Sequence, residues 1–216
     1  MLKLIDVHVQ PATAEKPILN GINLQASRGQ PLLISGASGS GKTTLLEVIS
    51  GLSNPQRGAI CWQGEPLTAR QRRWITGVLF QFPERHFLGL NVSQELKLGH
   101  RRLSSDEQNR VLDQVGLRGI DGRQAPERLS GGQQRRLALA VQLLRQPEVL
   151  LLDEPTAGLD WSVRTDVLEL LLELSRERVM VVVTHEPALF APWQCPHCRL
   201  QEGKLRTLSP LAPAES

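Results

Sequence analysis

Residues 149–155 (VLLLDEP) limit the possible folds of this chain more than any other stretch. An aliphatic run that ends abruptly in acids reads as a short strand buried on both faces, the pattern of a parallel sheet covered by helices. Ligands of such sheets collect at the carboxyl ends of the strands. Asp153 and Glu154 stand there side by side, pointing opposite ways along an extended chain. One carboxylate suffices to hold Mg²⁺, and the other can take a proton from an attacking water. A strand ending in a polar turn would carry the same residues, so the rest of the chain must decide. Residues 179–183 (VMVVV) form a second run of strand length.

Residues 32–35 (LLIS) predict a short strand, and residues 36–44 (GASGSGKTT) follow it directly. Gly36 to Thr43 fits G-x-x-x-x-G-K-[ST], with an apolar helix beginning at Leu45, Leu46, Val48 and Ile49. Strand before and helix after is the context in which this loop cradles phosphate. Gly39 and Gly41 let backbone N–H groups reach phosphate oxygens with no Cβ in the way. Ala37, Ser38, Ser40 and Thr44 complete the loop and the first turn, where the helix amino end adds partial positive charge. Lys42 supplies a point charge for the β- and γ-phosphates, and the Thr43 hydroxyl is placed to ligate Mg²⁺. A kinase or a GTPase would use the same cradle. The Asn-Lys-x-Asp segment that reads guanine is absent from the chain.

Residues 129–133 (LSGGQ) open a second helix, expected to run to about Arg145. Ser130 has the chemistry of an N-cap, and Gly131 and Gly132 would bare the first N–H groups of that helix to a second phosphate. Two phosphate-gripping helix ends in one chain point to a nucleotide held between two molecules. Here the chain resembles, over nearly its whole length, the ATP-binding cassette (ABC) family of ATPases. Residues 129–133 match the family's signature, 149–155 its Walker B strand, 158–160 (GLD) its D-loop and 182–185 (VVTH) its switch histidine. Gln81, after the apolar residues 77–80 (GVLF), matches its glutamine loop.

The resemblance implies a head-to-tail dimer that sandwiches two ATP molecules. Each ATP would touch the cradle of one chain and Ser130, Gly131, Gly132 and Gln133 of the other, with Asp160 at the same interface. Glu154 would polarise the attacking water, and Asp153 and Thr43 would support Mg²⁺. His185 would contact the γ-phosphate, and Gln81 would sense metal and water while linking the site to a partner. The family usually stacks adenine on an aromatic residue near the first strand. This chain has no Tyr, and only His8 or Pro11 stands in that region.

With 216 residues and 40% hydrophobic content, the chain suits one domain, 1–208, carrying a substantial insertion. The expected fold is an α/β P-loop NTPase cassette of the ABC type. It combines a mainly parallel core sheet, an antiparallel β subdomain at the amino end and a helical subdomain inserted over about residues 83–145. Residues 209–216 read as a disordered tail. No apolar run nears the roughly 18 residues that span a bilayer. The chain is therefore expected in the cytoplasm, held to the inner face of the membrane by partner subunits. The net charge of +3 comes with scattered arginines (Arg70, Arg72, Arg73; Arg101, Arg102; Arg135, Arg136), read as solvated faces and not as a nucleic-acid surface. Cys195 and Cys198 flank Pro196 and His197 with no second Cys/His pair nearby, which favours structural cysteines over a zinc site.

Residues 82–88 (FPERHFL), with Val92 and Glu95, resemble the glutamine-loop stretch of energy-coupling-factor ATPases. Those pair with a transmembrane coupling subunit in vitamin or metal-ion uptake. Phe82, Phe87 and Leu88 would floor a groove rimmed by Glu84, Arg85 and His86, suited to an amphipathic helix from a membrane partner. The partners implied are thus that coupling subunit and a second ATPase subunit, identical or related. A non-transport cassette acting on nucleic acid or ribosomes is the competing reading. The short span between Lys42 and Ser130 leaves no room for the long coiled coils of DNA-repair members, and translation-factor members generally carry two cassettes per chain. The motor of an ABC exporter would share every catalytic residue named above.

Overall fold

A computed structural model describes residues 1–11, 15–100, 102–209 and 211, so Arg101 and most of the expected carboxyl-terminal tail lie outside the described residues. The chain falls into two compact units, residues 1–78, 147–154 and 171–216, and residues 79–146 and 155–170. The second unit takes in residues 155–170 as well as the stretch expected for the helical insertion.

The first unit carries both sheets. Strands β1 (Leu2–Val9), β2 (Leu19–Ala26), β4 (Arg57–Trp62) and β5 (Glu65–Pro66) form an antiparallel sheet in the order β2-β1-β4-β5. Leu2, Leu4, Val7 and Val9 of β1 are buried. The alternation skips a residue because the register with β2 slips between Leu4 and Val7, with Asp6 in a left-handed conformation (φ 49°).

The second sheet has the order β10-β9-β3-β8-β7-β6, built from β3 (Leu32–Ser35), β6 (Thr76–Leu79), β7 (Val149–Asp153), β8 (Val179–Thr184), β9 (His197–Gln201) and β10 (Lys204–Leu208). β3 runs parallel to β8 and β9, and β7 parallel to β8. Every residue of β3, β7 and β8 is buried, as the aliphatic runs require. Each fully buried Val or Leu contributes roughly 1.5–3 kcal/mol, so these strands anchor the unit. Their register sets Ser35 beside Thr184 and Asp153 beside Val183, so the three carboxyl ends finish on one line. β9 and β10 form a hairpin whose turn residues Glu202 (φ 50°) and Gly203 (φ 71°) both take the left-handed conformation of a tight primed turn. Helices α1 (Lys42–Ser50) and α2 (Ala69–Ile75) complete the unit.

In the second unit, α3 (Val92–Lys97), α4 (Ser105–Gln114) and α5 (Gly131–Leu143) are started by the side chains of Asn91, Ser104 and Ser130. Helix α6 (Trp161–Ser175) begins in this unit. Two of the arginines expected on solvated faces are instead buried, Arg72 at 3% exposure and Arg135 at 2%. Arg72 Nη2 donates to Ser53 O (3.3 Å) and Asn54 Oδ1 (2.8 Å). Arg135 Nη2 donates to Ala157 O (2.8 Å). Backbone carbonyls, with the Asn54 side chain for Arg72, hold these guanidinium groups inside.

Helix α1 ends on Gly51 (φ 78°), whose N–H caps the carbonyls of Glu47 and Val48, and a Cβ there would lie 2.3 Å from Ala69 O. Gly51→Ala is expected to lower stability by about 1–3 kcal/mol, measured by urea unfolding.

Candidate nucleotide site

Helix α1 has an unusual start. Its N-cap, Gly41 (φ 98°), offers no side-chain acceptor, so the first N–H groups are left to a ligand. A Cβ at Gly41 would strike Ile18 Cγ2 at 2.8 Å, whereas one at Gly39 (φ 77°) would meet nothing within 4 Å. Gly41 is thus demanded by packing and conformation, and Gly39 by conformation alone. A Cβ at Gly36 would sit 2.6 Å from Leu200 O. Lys42 is buried (8% exposed), with Nζ donating to Gly36 O (2.8 Å) and Ala37 O (3.1 Å), so its charge is held over the loop. Ala37, Ser38 and Gly39 are exposed, and Ser40 and Thr44 half-buried.

At the end of β7 the two acids part company, as their alternation requires. Asp153 Oδ2 accepts from Thr43 Oγ1 at 2.7 Å. Glu154 takes a left-handed conformation (φ 47°), and its N–H bonds Val183 O (3.0 Å). Its carboxylate is only 7% exposed, accepting from Thr184 Oγ1 at Oε2 (2.9 Å) and from His185 Nδ1 at Oε1 (2.7 Å). Thr184 was not singled out in the sequence, although its place between β8 and His185 marks it. Its hydroxyl also accepts from Glu186 N (3.0 Å), so it orients Glu154 from a fixed position.

Burial pushes the Asp153 carboxyl above its ordinary value of 3.8; the Thr43 hydrogen bond and Lys42 oppose this, and the neighbouring Glu154 adds to it. Two adjacent buried carboxylates beside a hydroxyl make an all-oxygen donor set that suits a hard cation such as Mg²⁺. Residues 35–40, His185 and residues 199–202 line a cavity of about 550 Å³ beside the cradle.

In the second unit, Ser130 and Gln133 close a capping box: Gln133 N donates to Ser130 Oγ (3.3 Å) and Ser130 N to Gln133 Oε1 (2.9 Å). The N–H groups of Gly131 and Gly132 stay outside that box. The two glycines differ. A Cβ on Gly132 would lie 2.3 Å from Val163 Cγ1, whereas one on Gly131 would meet only Leu159 Cδ2 at 3.6 Å. Ser130, Gly132 and Gln133 share a cavity of about 390 Å³ with Arg118, Arg136 and Val163. Gln81 and Asp160, also of this unit, are exposed, and neither side chain has a hydrogen-bond partner among the described residues.

The pattern of a family model described as "ABC transporter" matches residues 19–157, more than half of the chain. The chain belongs to the ABC transporter family. A chloroplast ABC transporter I family member 11 of Arabidopsis thaliana is 41% identical, over 86% of this chain and 72% of that protein. The energy-coupling factor ATP-binding protein EcfA of Methanococcus maripaludis is 33% identical, over 87% and 71%. A lipoprotein-releasing ATP-binding protein LolD of Chlorobium luteolum is 35% identical, over 93% of each chain. Among solved structures, CbiO1 of Clostridium perfringens, part of the CbiONQ transporter complex, superposes with a TM-score of 0.86 at 28% identity, covering 97% of this chain and 88% of that one. The ABC chain is accordingly an ATP-hydrolysing cassette of the P-loop NTPase fold.

His8 is paired with Asp6 Oδ1 (2.9 Å), and Pro11 is half-buried. Cys195 is buried and Cys198 half-buried, burial raises both thiols, and among the described residues no group of three or more His, Cys, Asp and Glu is placed to hold a metal ion. His197 Nε2 instead meets Ser35 Oγ (2.7 Å), tying β9 to the strand that enters the cradle.

Gly132→Ala is expected to lose about 1–3 kcal/mol of stability through overpacking against Val163, and Gly131→Ala no more than about 0.5 kcal/mol, while both reduce ATP turnover; calorimetry and an ATPase assay separate the two effects. A carboxyl whose folded-state value is raised binds its proton more tightly in the folded chain. Its stabilising contribution is full below 3.8 and is lost as pH rises through the raised value. Asp153→Asn keeps an oxygen for Thr43. Without divalent cations at neutral pH it is expected to melt above the parent, with the gap closing in acid.

Proposed function

We propose that this chain powers a membrane importer of the energy-coupling-factor type, working as a head-to-tail pair of cassettes with ATP and Mg²⁺ at each of two composite sites. The observation that carries the hydrolytic reading is the carboxylate of Glu154. It is buried and clamped by Thr184 and His185, one residue beyond the Asp153–Thr43 pair. In this reading Lys42 and the free N–H groups of α1 hold the β- and γ-phosphates. Mg²⁺, if bound, would be held by Thr43 and Asp153 and would neutralise phosphate charge, and Gln81 would take the metal- and water-sensing role that the family resemblance implies.

Glu154 takes a proton from the attacking water as the water oxygen bonds to the γ-phosphorus and the bond to the ADP oxygen breaks. Thr184 and His185 fix the direction from which that carboxylate acts, and no covalent intermediate on the protein is needed. His185 also faces the γ-phosphate. The amino end of α5, with Ser130, Gly131, Gly132 and Gln133, closes over the phosphates held by the other chain. Asp160 borders the same interface.

The importer reading is supported by the likeness to EcfA and CbiO1. In this reading a transmembrane coupling subunit docks on residues 82–88, with Val92 and Glu95 behind them. The groove expected there needs correction. Leu88 is 80% exposed and Leu90 81%, so they project and do not form a floor, while Phe82 and Phe87 are half-buried; the side chain of Glu84 lies outside the described residues. Glu95, 5% exposed, pins this loop by accepting from Leu88 N (2.8 Å) and Gly89 N (2.6 Å). Phe82 (φ 54°) carries the Arg85 guanidinium over its ring at 4.7 Å. Among the described residues no helix is long and apolar enough to cross a membrane. The full-length match to LolD favours a second reading, a lipoprotein-release motor, which would use the same ATP site.

Glu154→Gln is expected to keep ATP binding, cut turnover by about 10²–10⁴-fold and trap an ATP-bound dimer, read by light scattering and phosphate release. Near-parental turnover would remove Glu154 from the role of base. Copurification of the tagged chain from membranes, with identification of the integral subunit by mass spectrometry, decides between importer and release motor.

A further inference from the structure

Where β3 runs into the cradle, a polar pair interrupts the apolar sheet. Ser35 ends the strand at 3% exposure, and His197 of β9 is 2% exposed. His197 stands level with Leu33 in the parallel pairing, and its ring reaches along the strand to Ser35, the next residue on that face. There His197 Nε2 meets Ser35 Oγ at 2.7 Å. The serine hydroxyl directs its own proton to Cys198 O (3.5 Å), which assigns the shared proton to Nε2 and makes Ser35 the acceptor. Nδ1 is then a buried acceptor with no partner among the described residues. Burial, with Arg199 beside it, holds the imidazole below its ordinary value of 6.5, so the ring is uncharged at neutral pH.

As packing, this arrangement is a poor choice. A buried lone pair left unmatched costs stability, and two apolar side chains of the same shape would fold as well or better. What the pair does is hold one point of the backbone. Gly36 follows Ser35, and its carbonyl accepts from Lys42 Nζ at 2.8 Å. β9 also closes on Gly36 itself, since a Cβ there would lie 2.6 Å from Leu200 O. The Ser35–Gly36 peptide is thus gripped by β9 and Lys42 together.

We infer that His197 is a positioning residue of the ATP site: through Ser35 it fixes the point at which β3 turns into the cradle, and with it the carbonyl on which Lys42 is seated. Removing the tie lets that point shift, which loosens the grip on the β- and γ-phosphates in the ground state and the transition state alike. His197 acts only through Ser35 and touches no nucleotide. The inference rests on the reading of residues 36–43 as the phosphate cradle.

Calorimetric titration of the full chain with ATP in EDTA reads the cradle's grip without hydrolysis or metal, and thermal melting of the same samples reads the fold. His197→Leu and Ser35→Ala are each expected to weaken ATP binding by about three- to tenfold, the worth of one hydrogen bond. His197→Gln, whose amide nitrogen extends about as far as Nε2, should stay within about twofold of the parent. The double variant Ser35→Ala/His197→Leu decides. It leaves no polar side chain at this point, so it should melt at or above the parent, while its ATP affinity stays as weak as that of the weaker single variant. With Mg²⁺ present, the KM for ATP should rise by the same factor and kcat stay within about twofold. A double variant that recovers parental affinity together with its stability would assign the pair to packing alone and overturn the inference. Parental affinity in both single variants, or a fall in kcat at unchanged KM, would overturn it too. Lys42→Ala guards the premise: if it binds ATP as tightly as the parent, the cradle reading fails and the inference with it. If it abolishes binding while the His197 variants keep parental affinity, the cradle stands and only the tie falls.

Discussion

The register of three buried parallel strands is the constraint on which the remaining features of the first unit depend. β3, β7 and β8 are buried on both faces, so each can shift only by exposing aliphatic side chains or breaking a ladder of hydrogen bonds. With Ser35 level with Thr184 and Asp153 level with Val183, the cradle, both acids, the threonine and the histidine emerge at one edge. The 2.7 Å contacts of Thr43 with Asp153 and of His185 with Glu154 follow from that alignment. A one-residue slip would undo all of them together. The polar groups thus take their precision from apolar packing that lies below them.

The two glycine-rich helix ends meet the demand of their orphan N–H groups differently. Helix α1 leaves its N-cap without a side-chain acceptor, so its orphan N–H groups call for an anion. Helix α5 satisfies part of its own demand through the Ser130–Gln133 box and keeps a smaller remainder at the two glycines. In the composite site proposed above, binding would stay centred on α1. Both glycine-rich segments look alike in the sequence, yet Gly132 is required by the side chain of Val163 and Gly39 by backbone conformation alone.

Much of this was legible beforehand. Continuous aliphatic runs can be satisfied in few ways, and the cradle's spacing has few uses other than phosphate, so the sheet type and the elements around the acids could be read in one dimension. What escaped reading depends on tertiary partners. Arg72 and Arg135 sit in arginine pairs that look solvated, and only their targets, the carbonyls of Ser53 and Ala157, draw them inward. Leu88 reads as part of a groove floor, but Glu95 binds the backbone of residues 88 and 89, and that leucine stands exposed. Thr184 was passed over because a threonine ending a strand carries no pattern until Glu154 is seen against it.

The backbone at Glu154 has an evolutionary consequence. A non-glycine residue at φ 47° sits in a conformation that glycine or asparagine adopts more readily than glutamate does. Selection for folding alone would drift this position toward those residues, and would gain stability by doing so. If Glu154 is the base proposed above, keeping a glutamate there requires continued selection on turnover. A descendant of this chain released from that selection, yet still required to bind nucleotide and pair, would be expected to lose its acid at this position before it lost its cradle.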